Sequence, residues 1–136
     1  MKTVFVESKR ELWDWLKKNH TQKESVWLEH YKFSTRKTDL TRDDLVDYLL
    51  CFGWIDSLPG KADELRTKIR ISPRNPKSSW SRINLEKVKS LIKENKMQKS
   101  GIEVIATAKE NGSFYKITPT QKEMMQNNNT KKFNKF

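Results

Sequence analysis

The sequence predicts an α+β fold, a small antiparallel sheet of about three strands packed with four or five helices. Three observations carry that reading. Apolar residues recur at helical spacing behind capping residues, other stretches alternate as strands do, and a Pro-Gly pair divides two such stretches like a hairpin turn. The 136 residues suit one compact domain, and 35% hydrophobic content that includes 5 Trp and 6 Phe can build a modest core. Residues 1–118 are read as that domain and 119–136 as a short polar tail, partly helical and then frayed.

Ser8 with Glu11 forms a capping box that opens a first helix, its stripe made by Leu12, Trp15 and Leu16, fading at Asn19–His20. Residues 25–33 read as a strand buried partly on both sides, with His30 facing outward. Thr41 caps a second helix with Asp43 and Asp44 in its first turn, and Gly53 ends it in a left-handed cap. Leu45, Val46, Leu49, Leu50 and Phe52 give that helix a wide apolar face. Trp54–Leu58 and Leu65–Ile71 then read as a hairpin turning at Pro59-Gly60, stopped by Pro73 and Pro76. Asn84 caps a third helix with Leu85, Val88, Leu91 and Ile92 inward and Lys89, Lys93 and Lys96 outward. After a break at Met97–Gly101, a fourth helix runs from Ile102 to Asn111 with Ile105 inward and Gly112 as its stop. Thr118-Pro119 would start one more short helix.

Charge is distributed unevenly. The net charge is +11, yet the chain to Lys68 carries 13 basic and 12 acidic residues, against 15 and 5 from Ile69 onward. A basic half of this kind draws anions, whether nucleic acid, lipid headgroups or acidic proteins, although lysine-rich composition alone produces the same excess. One Cys excludes a disulfide framework and a thiolate zinc cluster and fits a reducing, cytoplasmic setting. No apolar run is long enough for a membrane span. The phosphate-loop, dinucleotide, zinc-protease and nucleophile-elbow motifs are absent. No metal or other cofactor is therefore expected.

The segments LCFGWID (50–56) and ISPRNPKSSWSRIN (71–84), with Asp63 at the turn between them, resemble the YdeI/OmpD-associated family, the bacteriocin-protection proteins, over roughly residues 5–115. Asn95-Lys96-Met97 stands where that family carries a glycine-bearing step, and the tail after Tyr115 has no counterpart. The resemblance implies a role in tolerance to bacteriocins or antimicrobial peptides, and no defined chemistry.

The stretch from Arg70 to Asn84 holds the main candidate site. Arg70, Arg74, Lys77 and Arg82 supply positive charge, Ser78, Ser79, Ser81 and Asn84 supply short polar groups, and Trp80 offers a flat apolar surface. A carboxylate or phosphate site uses such groups together with helix N-terminal amides. The same residues also read structurally, with Trp80 plugging the core, Asn84 capping a helix, and Arg74 pairing with Asp56 or Asp63. Asp56 is the weak candidate for an acid or base, with no second group evident. Cys51 reads as a small buried filler. The sequence thus favours a non-enzymatic binding module for an anionic ligand or partner protein. The alternatives are an enzyme using Asp56 with Arg70 or Arg74 in a cleft beneath Trp54 and Trp80, and a non-specific nucleic-acid binder using Arg82 and the lysines from Lys87 to Lys99.

Overall fold

The computed structural model describes residues 1–118. The tail at 119–136 and the helix expected from Thr118-Pro119 lie outside the described residues. In chain order the elements are β1 (Thr3–Phe5), α1 (Lys9–Asn19), β2 (Val26–Tyr31), α2 (Arg42–Phe52), β3 (Trp54–Lys61), β4 (Arg66–Pro73), β5 (Trp80–Ser81), α3 (Arg82–Lys93), α4 (Lys99–Glu110) and β6 (Ile117–Thr118). Short 3-10 turns occupy Phe33–Thr35 and Ser113–Tyr115.

The class is α+β, but the sheet corrects the expectation of about three antiparallel strands. It has four strands in the order β1-β2-β4-β3, and β1 runs parallel to β2. β1 went unread because three residues are too few for alternation to register. Helix α1 is the crossover that returns the chain in parallel beside β1, and Trp27 N–H donates to Lys2 O at 2.9 Å as the pairing begins. A second, two-stranded pairing joins β5 to β6, also in parallel.

Local chemistry fixes most boundaries. The hydroxyls of Ser8 and Thr41 accept the N–H groups of Glu11 and Asp44 at 3.1 Å each, capping α1 and α2 as expected. Gly53 ends α2 at φ +78°. Pro59-Gly60 is not the turn: both lie inside β3, an edge strand that tolerates proline, where the register shifts by a bulge between Asp56 and Pro59. The chain reverses instead after Lys61, where Asp63 Oδ1 accepts the N–H groups of Leu65 and Arg66 at 2.9 and 2.8 Å. Those two bonds hold the Asp63 carboxyl below its usual range.

Three further expectations shift. Ser81, not Asn84, caps α3: its Oγ accepts the Asn84 N–H at 3.0 Å, so the helix starts three residues earlier. Ile92 is 50% exposed instead of inward, because Val88 and Leu91 already fill that face. The break placed at 97–101 ends sooner, since α4 begins at Lys99 and carries Gly101 in its first turn. A Cβ at Gly101 would collide with Cys51 O of α2, so the glycine is there for close helix approach.

The core lies on one face of the sheet. Val26 and Leu28 of β2 and Ile69 and Ile71 of β4 join Leu12, Leu16, Leu45 and Leu49 from the helices. His30 shares the parity of Val26 and Leu28 and is buried at 3% exposure, which corrects its outward assignment. Its Nδ1 bonds Tyr31 O at 2.7 Å and its ring stacks on Phe33.

Candidate functional site

Where α2 meets β3, the chain turns through Gly53, and α4 crosses close above it. A Cβ at Gly53 would stand 2.6 Å from Val104 Cγ2. Ser100 donates its hydroxyl to Phe52 O at 3.0 Å, and Gly53 O accepts the Arg74 N–H at 2.9 Å, tying α4 and the end of β4 to the same junction. Trp54 is fully buried; its indole N–H donates to His20 O at 3.0 Å and its ring meets Trp15 edge-on. These ties frame a cleft of about 240 Å³. Phe52, Trp54, Pro73, Pro76 and Val104 give it apolar walls, and His20, Arg74, Ser100, Glu103 and Thr107 supply its polar groups.

Arg74 is the unusual member. It is 5% exposed, and its guanidinium carbon lies over the Trp80 ring, 3.7 Å from the centroid. One nitrogen, Nη2, donates to Ser79 O at 2.8 Å, while Nε and Nη1 are buried with no hydrogen-bond partner. Burial makes the cation easier to deprotonate, bringing its pKa to about 10, with the negative charge of Asp56 acting in the opposite direction. An unpaired buried donor typically costs about 1–3 kcal/mol, so this side chain is poorly satisfied as it stands. The connector after it is held firmly, since Pro76 O accepts from Asn111 Nδ2 at 2.8 Å and from Ser113 Oγ at 3.0 Å.

Trp80 aside, the other residues singled out in the sequence do not gather around Arg74. Trp80 is buried, packed between Arg74 and Phe114, and its own indole N–H has no partner. Lys77 and Ser78 sit on the turn, where Asn75 accepts the Lys77 N–H through its side chain and the Ser78 hydroxyl through its backbone oxygen. Ser81 and Asn84 make the α3 cap, so those first-turn amides are partly used. Arg82 is exposed at the start of α3. Arg70 points to the opposite face of the sheet, where Nη2 reaches Ser25 Oγ at 3.5 Å. Asp56 is half-buried on β3 and is not among the residues lining the cleft, although its charge is felt at Arg74. Asp63 serves its own turn, as described above. Cys51 is buried, its thiol pushed up to about 11 mainly by burial, which leaves it unreactive.

Reading the sequence missed the contribution of α4. Ser100, Glu103, Val104 and Thr107 fall at the i, i+3, i+4, i+7 spacing of one helix face, a signal hidden when the helix is started at Ile102. Among the described residues there is no cluster of metal-ligating side chains, and no helix is long and apolar enough to cross a membrane.

Fold and cleft together define a small α+β domain with a basic group buried beside an apolar recess. The chain belongs to the family described as a domain of unknown function, DUF8412, whose model matches residues 4–104. This corrects the resemblance to the YdeI/OmpD-associated family, and the tolerance role that came only with that likeness is withdrawn. The strings behind it do structural work here. LCFGWID is a helix end, a left-handed glycine and a strand start, while the second string is a strand end, a Trp-plugged connector and a helix cap. No curated protein and no solved structure matches the chain.

Proposed function

We propose that this domain is a binding module for a small anion with an apolar body, anchored by Arg74. The observation that carries the reading is the buried guanidinium, with two nitrogens lacking acceptors, in the wall of a cleft of suitable size. A carboxylate oxygen turned toward Nε or Nη1 supplies a missing acceptor in a charge-assisted hydrogen bond. The apolar walls suit an aromatic or aliphatic body. Glu103 in the same lining disfavours multiply charged ligands, which points to a monocarboxylate over a nucleotide.

The test uses benzoate as the probe and benzamide as its neutral counterpart. Benzoate is expected to shift the Trp54 indole N–H resonance and raise the melting temperature, benzamide to do neither, and Arg74→Met to abolish the response. Equal responses to the two compounds, an unchanged response in Arg74→Met, or no response at millimolar benzoate would overturn the assignment.

A further inference from the structure

The face of the sheet turned away from the core presents a different arrangement. Three cross-strand rungs line it. Thr3, Trp27 and Arg70 form the first, Phe5, Glu29 and Lys68 the second, and Tyr31 with Arg66 the third. The neighbours in sequence, at Val26, Leu28, Ile69 and Ile71, are buried, whereas none of these eight is. Aromatic rings therefore alternate with cations on an accessible surface. Arg66 lies 3.8 Å from the Phe5 centroid and Lys68 Nζ lies 4.7 Å from the Trp27 ring. Gly60 of β3 faces the same side; a Cβ there would come within 3.1 Å of the Trp27 ring, so its lack of a side chain leaves the indole room to lie over the edge strand.

The charge balance of this face selects its occupant. Three cations stand against one carboxylate, Glu29, which is engaged with Arg66 at 3.3 Å. Arg70 has a buried Nε with no partner and only the long contact to Ser25. A protein partner would have to desolvate these cations at the centre of its interface, where charged residues are depleted. A duplex would hide its base faces from the rings. Single-stranded nucleic acid satisfies both sets of groups, with bases stacking on the aromatics and phosphates meeting the cations. Trp27 and Tyr31 stand four residues apart on β2, about 13 Å at a rise of ~3.3 Å per residue, which lets separate bases use the two rings.

We propose that this open sheet face, through Trp27, Phe5, Tyr31, Lys68 and Arg70, binds single-stranded nucleic acid. The surface is separate from the Arg74 cleft, and the proposal stands or falls independently of the function proposed there.

Fluorescence anisotropy of the full chain with labelled U12 and dT12 tests it, with a matched duplex as the third arm. Binding to the single strands is expected to exceed that to the duplex. Its log-log salt dependence should have a slope of about −1.4, as the two phosphate contacts of Lys68 and Arg70 give at ~0.7 each on a single strand. Trp27→Ala should weaken binding by about 10-fold, in line with base–aromatic stacking, and Trp27→Phe should restore most of it. Lys68→Gln with Arg70→Gln should flatten the salt slope. Circular dichroism verifies that each variant is folded. A preference for U12 over dT12 would identify RNA as the source of the strand and equal affinities would admit both, each in support. The proposal is overturned by no binding at low salt, by tighter duplex binding, or by folded Trp27 and Lys68/Arg70 variants that bind as the parent does. That last result would move the site to the lysines of α3.

Discussion

Two arginines in this molecule rest on aromatic rings at nearly the same distance, and almost everything else about them differs. Arg74 lies 3.7 Å from the Trp80 centroid and Arg66 lies 3.8 Å from that of Phe5. Arg66, on the open sheet face, has Glu29 at 3.3 Å; burial lowers its pKa, but the hydrogen bonds to Tyr31 and Glu29 outweigh this and the net shift is upward. Arg74, beside the cleft, has no carboxylate at bonding distance and is shifted down to about 10. The stacking contact is thus no guide to role. What separates the two is whether the guanidinium has its acceptors within the folded chain or must find them elsewhere.

The largest effect expected on the cleft side comes from a residue that never touches a ligand. Gly101→Ala would drive a methyl group into Cys51 O, where α4 crosses α2, and the obstacle is backbone that cannot rotate aside. A loss of about 3 kcal/mol is expected, at the upper end of overpacking effects. Chemical denaturation measures it. Gly112→Ala is the contrast, because a Cβ there meets nothing within 4 Å and only its φ of +85° resists substitution. Equal losses at the two glycines would show that helix crossing does not set the cleft.

The comparison between the arginines is sharpened by replacing each with methionine. Arg74→Met removes a buried cation with two unpartnered nitrogens and keeps much of the apolar volume, so stability should hold or rise by about 1 kcal/mol while benzoate binding is lost. Arg66→Met should leave benzoate binding intact and weaken the single-strand affinity of the sheet face. A loss of several kcal/mol in Arg74→Met would instead make that side chain a structural clamp over Trp80, and the contrast would collapse.

The parts of the fold legible in the sequence are those in which local chemistry and core packing agree. Ser8, Thr41 and Gly53 announce the ends of α1 and α2, and the structure puts them there. Pro59-Gly60 shows the opposite. Its turn propensity is overridden because an edge strand with a bulge can absorb both residues, and an aspartate turn lies only a few positions on. The candidate site failed to condense for a related reason. Arg70 and Arg74 are close in sequence, but Arg70 sits on the solvent face of β4 and Arg74 follows after the strand has ended, so they serve different sides of the sheet. The helix face that completes the cleft comes from α4, and no local pattern in 70–84 reports on it. Trp27 and Tyr31 were visible as one parity of a strand, but their pairing with Arg70 and Arg66 depends on register, which only the assembled sheet supplies.

His30 offers the smallest effect and a further instance of the same rule, a base buried without a countercharge. Burial lowers its pKa from the ordinary 6.5, with the hydrogen bond to Tyr31 O pulling weakly the other way, so the folded chain holds this ring neutral. As pH falls through 6.5, the unfolded chain takes up the proton first, and the free energy of folding declines until the folded pKa is reached. The acid side of the stability profile should therefore slope downward below that point. His30→Asn keeps a donor for Tyr31 O and loses the titration. Whatever the packing loss beside Phe33 does to the overall level, the variant should flatten the slope between neutral and mildly acidic pH. Urea titrations across that range measure it. An unchanged slope in the variant would assign the acid sensitivity to other groups, and would mean that burial of an uncompensated base on the core face of β2 is tolerated without the penalty argued for Arg74.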